Sequence, residues 1–160
     1  MSREQRIGDA LLHPVSLAAI AVLALNDHWA KGRLPPWLTG KASDVAGMVF
    51  FPLVLWAVIE LALWLFGRRE RRPHHLYVSA AATGAVFTAI NLSRAAGDGY
   101  AWALAALQWP VRSALSGDLI ALEPVAHVVD PTDLVALPAL AIAVWVGRRY
   151  SRSPPIAENQ

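Results

Sequence analysis

The chain has 160 residues, of which 56% are hydrophobic and 16% charged, and its formal net charge at pH 7 is +2. Soluble domains carry about 25% charged residues, so this composition indicates lipid rather than water as the main solvent. Basic residues cluster beside apolar runs, which favours contact with anionic lipid head groups and not with nucleic acid. The absence of cysteine excludes disulfides, thiolate catalysis and cysteine-ligated metals.

Long apolar segments predict four membrane-spanning helices, because about 20 apolar residues in a helix cross the hydrocarbon layer of about 30 Å. The predicted spans cover residues 14–30, 44–67, 76–92 and 132–147. Pro14 suits the first turn of the first helix, and Ser43 is a favourable N-cap for the second. No small-residue cleavage site follows the basic N-terminus, so we expect an uncleaved first span.

The segment 100–116 is apolar for eight residues and then contains Gln108, Pro110 and Arg112. Such short apolar stretches are typical of re-entrant or interfacial helices, although a full crossing is the alternative. The predicted fold class is therefore all-α, a polytopic bundle of four transmembrane helices plus a re-entrant or interfacial helix near residues 100–115. Residues 1–150 are predicted to form a single transmembrane domain, followed by a disordered cytoplasmic tail at 151–160.

Positive charge predicts the orientation of the bundle, since cytoplasmic loops are enriched in Lys and Arg. With four crossings, both termini and the loop at 68–75 share one side of the membrane. That side holds nine of the 14 basic residues. We therefore expect the N-terminus and the C-terminus to be cytoplasmic.

The outer ends of the predicted spans carry acids, histidines, amides and bases together, whereas the cytoplasmic ends carry mainly arginine. The candidate catalytic residues are Asp27, His28, Asp44 and Asp133. The candidate ligand-binding residues are Asn26, Lys31, Lys41, Ser43, Asn91, Arg94 and Asp130. Two predicted helix N-termini at this face suit a phosphate, and the acids suit proton transfer or a divalent cation. The sequence leaves open whether any metal is bound.

Each of these stretches also has a simpler interpretation. Asp27 and Lys31 are spaced for a surface salt bridge on one helix face. Ser43 and Asp44 fit an N-cap followed by a first-turn acid. The segment 130–133 resembles a capping box with proline at the first helical position.

Glu60 is an acid inside the second predicted span, where a charge costs about 2.5–3.5 kcal/mol. It is expected to face the bundle with a partner such as His13, Ser79 or Thr83. A protonated, hydrogen-bonded carboxyl is one interpretation, and a proton or cation path is the other.

Three motifs resemble those of a family of small, uncharacterised bacterial membrane proteins: Asn-Asp-His at 26–28, Thr-Gly-Lys-x-Ser-Asp-x-Ala-Gly at 39–47, and Asp-Pro-Thr-Asp-Leu at 130–134. The chain is also similar to the VanZ-like family, with Asp44 before an aromatic run and Asp133 before a small-residue helix. It departs from that family in having no His directly after Asp44 and no Asn after Asp133. The resemblance implies a role in the bacterial cell envelope and no known reaction.

The leading functional hypothesis is an inner-membrane protein whose outer-face pocket binds a phosphate-bearing or polar lipid-like envelope molecule, with hydrolysis or transfer left open. The second is a non-enzymatic accessory or scaffold subunit. Its small-residue face at Ala80, Gly84 and Thr88 would contact another membrane protein or a second copy. The third is a proton- or cation-coupled transport component that uses Glu60. Membrane lipids are the expected partners in every case.

Overall fold

The computed structural model describes residues 6–68 and 72–151. In these two ranges the chain is helical and contains no strand, which confirms the all-α class. The helices are α1, Pro14–Leu25; α2, Pro36–Leu65; α3, His74–Leu92; α4, Arg94–Ser116; and α5, Leu140–Arg148. A 3₁₀ turn at Asp9–Leu12 precedes α1, a π-turn at Asn26–Ala30 extends it, and a 3₁₀ helix at Pro131–Ala139 leads into α5. The predicted tail lies outside the described residues from position 152 onward.

Three helical stretches are long and apolar enough to cross a membrane: α2, α3 and the continuous helix Pro131–Arg148. About a third or less of the most apolar window of each is buried inside the protein. Large apolar side chains therefore point outward, including Phe51 and Val58 of α2, which are 53% and 54% exposed. Exposed apolar surface on this scale is typical of contact with a membrane or another protein.

The second helix begins eight residues earlier than the predicted start at Asp44. Pro35 is extended and Pro36 takes the first helical position, where its missing N–H costs no hydrogen bond. The prediction that Ser43 caps this helix is wrong, because Ser43 lies inside α2. Helix α1 starts at Pro14, where the first span was predicted to start, and the Nδ1 atom of His13 accepts a hydrogen bond from the Val15 amide at 3.2 Å.

The chain divides into two compact units, a larger one of Met1–Gly84 with Val135–Gln160 and a smaller one of Ala85–Leu134. In the larger unit α1 packs against α2, and α5 packs against α2 as well. Its core contains Ala10, Leu53, Trp56, Leu76, Ala143 and Val146. Since Ala10 precedes α1 and Trp56 lies late in α2, the two helices run antiparallel along much of their length.

Small residues allow close helix packing within the larger unit. Gly147 of α5 is buried where the Leu76 side chain occupies the space of a Cβ atom. A Cβ atom at Gly84 would come 2.8 Å from Cδ1 of Leu140. The small-residue face predicted on α3 is therefore occupied at Gly84 by a leucine of the same chain.

In the smaller unit, α4 is one unbroken helix of 23 residues. Ser93 caps its start by accepting from the Ala96 amide at 3.3 Å, and Gly117 ends it at a φ of 73°. The irregular segment 118–130 then returns along α4, where the Trp109 indole donates to the carbonyl oxygen of Ile120 at 2.7 Å. This helix is not among the stretches apolar enough to cross a membrane.

Candidate functional site

The best-defined polar contact among the predicted site residues joins the end of α1 to the start of α2. The Asn26 side chain is 4% exposed, and its Nδ2 donates to the Thr39 carbonyl at 2.9 Å and to the Ser43 hydroxyl at 2.5 Å. The π-turn begins at Asn26, whose carbonyl accepts from the Lys31 amide five residues later at 3.0 Å. Asn26 and Ser43 therefore hold the two helices together, a structural task that the motif spacing did not reveal.

The charged residues that follow Asn26 lie on the surface. Lys31 Nζ is 2.7 Å from an Asp27 carboxylate oxygen, and both side chains are 57% exposed. Exposed pairs of this kind contribute about 0–1 kcal/mol to stability. His28 in the same turn is also exposed. The simpler interpretation of Asp27 and Lys31, a surface salt bridge, is confirmed.

Two exposed tryptophans flank this end of the larger unit. Trp29 is 53% exposed and has the Arg33 guanidinium 5.0 Å from its ring centroid, while Trp37 is 66% exposed. Lys41 and Asp44 are half-buried in the early turns of α2. We call residues 26–44 the basic–aromatic turn; it holds three bases and two acids.

The remaining candidates of the predicted outer face belong to the smaller unit. Asp130 Oδ1 accepts from the Thr132 amide at 2.8 Å, so Asp130 caps the 3₁₀ helix as its capping interpretation predicted. The Asp133 amide donates to the Asp130 carbonyl at 3.1 Å. Asn91 is 3% exposed and its Nδ2 donates to the Phe87 carbonyl at 3.0 Å. Arg94 is exposed at the first position of α4. The candidate residues are thus divided between the two units.

His127 is a well-packed residue of the smaller unit that was not among the main candidates. Its Nε2 is 3.0 Å from the Ile90 carbonyl oxygen, and its ring meets that of Tyr100 edge-on at 5.6 Å. A Cβ atom at Gly97 would come 2.8 Å from the His127 ring, so the glycine provides the space for it. Desolvation raises the pKa of the Tyr100 hydroxyl. The Gly97–His127 contact depends on the path of segment 118–130, which no local motif indicates.

Glu60 is 6% exposed on α2 and lines a small cavity in the larger unit. The cavity wall also includes Trp56, Arg6, Asp9 and Tyr150. Of these, Trp56 could have been inferred from its position one turn before Glu60 on the same helix face.

The three partners predicted for Glu60 have other contacts. The Ser79 and Thr83 hydroxyls donate to carbonyls of their own helix, each at 2.8 Å. The His13 ring lies edge-on to Trp145 at 5.8 Å and to Tyr150 at 6.2 Å.

Within residues 6–68 and 72–151, no group of three or more His, Asp or Glu side chains is arranged to hold a metal ion. The binding of a divalent cation by the outer-face acids therefore remains a prediction. Comparison with protein-family models, curated proteins and solved structures gives no match to this chain.

Proposed function

We propose that the chain is a four-span membrane protein whose basic–aromatic turn binds the phosphate of an anionic lipid-like molecule. Three of the four spans are the candidate spans α2, α3 and Pro131–Arg148. The fourth is α1, and its packing against α2 supports this assignment. Because α1 runs antiparallel along α2, a membrane that α2 crosses would also enclose α1. The proposed host is the inner membrane of a bacterium.

The length of α2 supports placing the turn in the head-group region. A helix of 30 residues is about 45 Å long, compared with a hydrocarbon layer of about 30 Å. The apolar run begins only at Val45, so the turns that carry Trp37, Lys41 and Asp44 extend beyond the hydrocarbon. Tryptophan and basic side chains are the residues enriched at that depth.

One observation supports the binding proposal. The basic residues Lys31, Arg33 and Lys41 lie in the same turn as the exposed Trp29 and Trp37. Each basic residue near a membrane surface contributes about 1 kcal/mol to the attraction of anionic lipid. The Asn26 contacts fix the turn, which lowers the cost of ordering these side chains on binding. The proposal is one of binding and assigns no reaction, since Asp27 is engaged in an exposed ion pair.

Native mass spectrometry of the detergent-solubilised protein tests the proposal, with phosphatidylglycerol and phosphatidylcholine as matched probes. We expect preferential retention of phosphatidylglycerol. Arg33→Ala and Lys41→Ala should each weaken it by about fivefold, the equivalent of about 1 kcal/mol. Arg112→Ala, an exposed charge on α4, is the control and should leave it unchanged. Equal retention of both lipids, or equal losses in all three variants, would contradict the proposal.

A further inference from the structure

Glu60 has no role in the proposed lipid binding, yet it lies buried beside a cavity. The cavity is formed where the turn before α1, the second half of α2 and Tyr150 meet. Its volume corresponds to about one water molecule, and its wall is polar at Arg6, Asp9, Trp56 and Glu60. One side opens to the surface. Arg6 lines the cavity, and we call the part of the larger unit that carries Arg6, Arg68, Arg72, Arg148 and Arg149 the arginine end.

Trp56 supplies the independent observation. Its side chain is 4% exposed, and among the described residues its indole Nε1 has no hydrogen-bond partner. A buried N–H is costly without an acceptor, and an ordered water is the usual acceptor in a polar cavity of this size. Trp56 and Glu60 are four residues apart on α2, so their side chains share one helix face.

We infer that Glu60 is a proton-binding site that exchanges with the aqueous phase at the arginine end through a water held by Trp56. The water accepts a hydrogen bond from the indole N–H and bonds the Glu60 carboxyl. On uptake, a proton from the aqueous phase reaches a carboxylate oxygen through this water, and the carboxyl becomes neutral. On release, the same proton returns by the same route, and no electron is transferred.

The position of Glu60 near the helix end makes such a route short. Glu60 precedes the last residue of α2 by five positions, a rise of about 7.5 Å. A single water at the cavity can therefore connect the carboxyl to the surface without a relay chain. This placement makes Glu60 a proton site facing one side of the membrane, which goes beyond lipid binding at the opposite end.

Several other groups surround this site and bear on its pH dependence. Asp9 begins the 3₁₀ turn before α1, Arg6 precedes that turn and Tyr150 follows α5, and all three line the cavity. The nearby elements add further titratable or charged groups: His13, Arg72, His74, His75, Arg148 and Arg149.

Infrared spectroscopy in dodecyl maltoside, a detergent without carbonyl groups, tests the site directly. The wild-type protein should gain the carbonyl band of a protonated carboxylic acid as the pH is lowered and lose it as the pH is raised. That band should be absent from Glu60→Gln and present in Glu123→Gln, which removes an exposed acid. In ²H₂O the band should shift promptly, because the carboxyl exchanges through water.

A cavity-filling pair tests the role of the water without touching Trp56 or Glu60. Ala57 lines the cavity, whereas Ala62 on the same helix is exposed. Ala57→Leu should slow the ²H₂O shift about tenfold or more, since exchange would then require local opening, and Ala62→Leu should not.

Trp56→Phe, which removes the indole N–H, should slow exchange, with the exposed Trp64→Phe as its control. Three results would each overturn the inference: no band that depends on Glu60, a band insensitive to ²H₂O, or equal exchange rates in Ala57→Leu and Ala62→Leu.

Discussion

At the scale of single residues, Asn26 is the clearest case of a site candidate with a structural task. Replacing it with alanine removes one buried and one partly buried hydrogen bond and leaves the Thr39 carbonyl without that donor. We expect Asn26→Ala to lower the free energy of unfolding by about 1–3 kcal/mol. His28→Ala, an exposed neighbour, should change it by less than about 0.5 kcal/mol. Unfolding in mixed detergent micelles by increasing SDS, followed by circular dichroism, measures both; equal effects would show that the Asn26 contacts contribute little.

Residue contacts could be predicted from the sequence where they are local. The Asp27–Lys31 pair and the Asp130 cap follow from spacings of four and two residues, and both are present. The Asn26–Ser43 contact spans 17 residues, so it depends on how α1 packs against α2. The Gly97–His127 contact likewise needs a tertiary path. Local spacing therefore predicted the helix caps and surface ion pairs. It did not predict the tertiary contacts within each unit.

At the scale of elements, apolarity revealed which segments suit lipid and was a poor guide to where helices begin. The apolar run from Val45 marks the part of α2 suited to hydrocarbon, but the helix starts at Pro36 because the Pro35–Pro36 pair sets its first turn. A polar extension costs little where water can solvate its side chains. Helix bounds and membrane bounds are thus separate properties, and only the second depends on hydropathy.

Helix α4 also shows that a long helix need not cross the membrane, since it has 23 residues and is not a candidate span. Leu107, Val111 and Leu115 are spaced by four residues and are 75%, 62% and 83% exposed. If α4 lies along the interface, spin labels at cysteines placed at these three positions should report one common depth by their accessibility to oxygen and to a polar nickel reagent. A crossing helix would instead change depth by about 12 Å over those eight residues. The chain has no native cysteine, so each label reports a single site.

At the scale of the whole molecule, the proposed topology rests on the asymmetry of basic residues and on the packing of α1 along α2. Single cysteines at Ile7, Gly32, Pro73 and Ser151 test both in intact bacterial cells with a membrane-impermeant maleimide. Four crossings with cytoplasmic termini require labelling from outside at Gly32→Cys alone. The other three positions should react only after permeabilisation, because they lie with the arginine-rich segments.

The four positions separate the alternatives from one another. External labelling at position 7 would mean that α1 does not cross, although it packs along α2. External labelling at position 151 with 7 and 73 protected would mean that α4 crosses, in conflict with a common depth for its spin labels. External labelling at 7, 73 and 151 with 32 protected would invert the molecule. The basic–aromatic turn would then face the cytoplasm, and Glu60 would exchange protons with the outside.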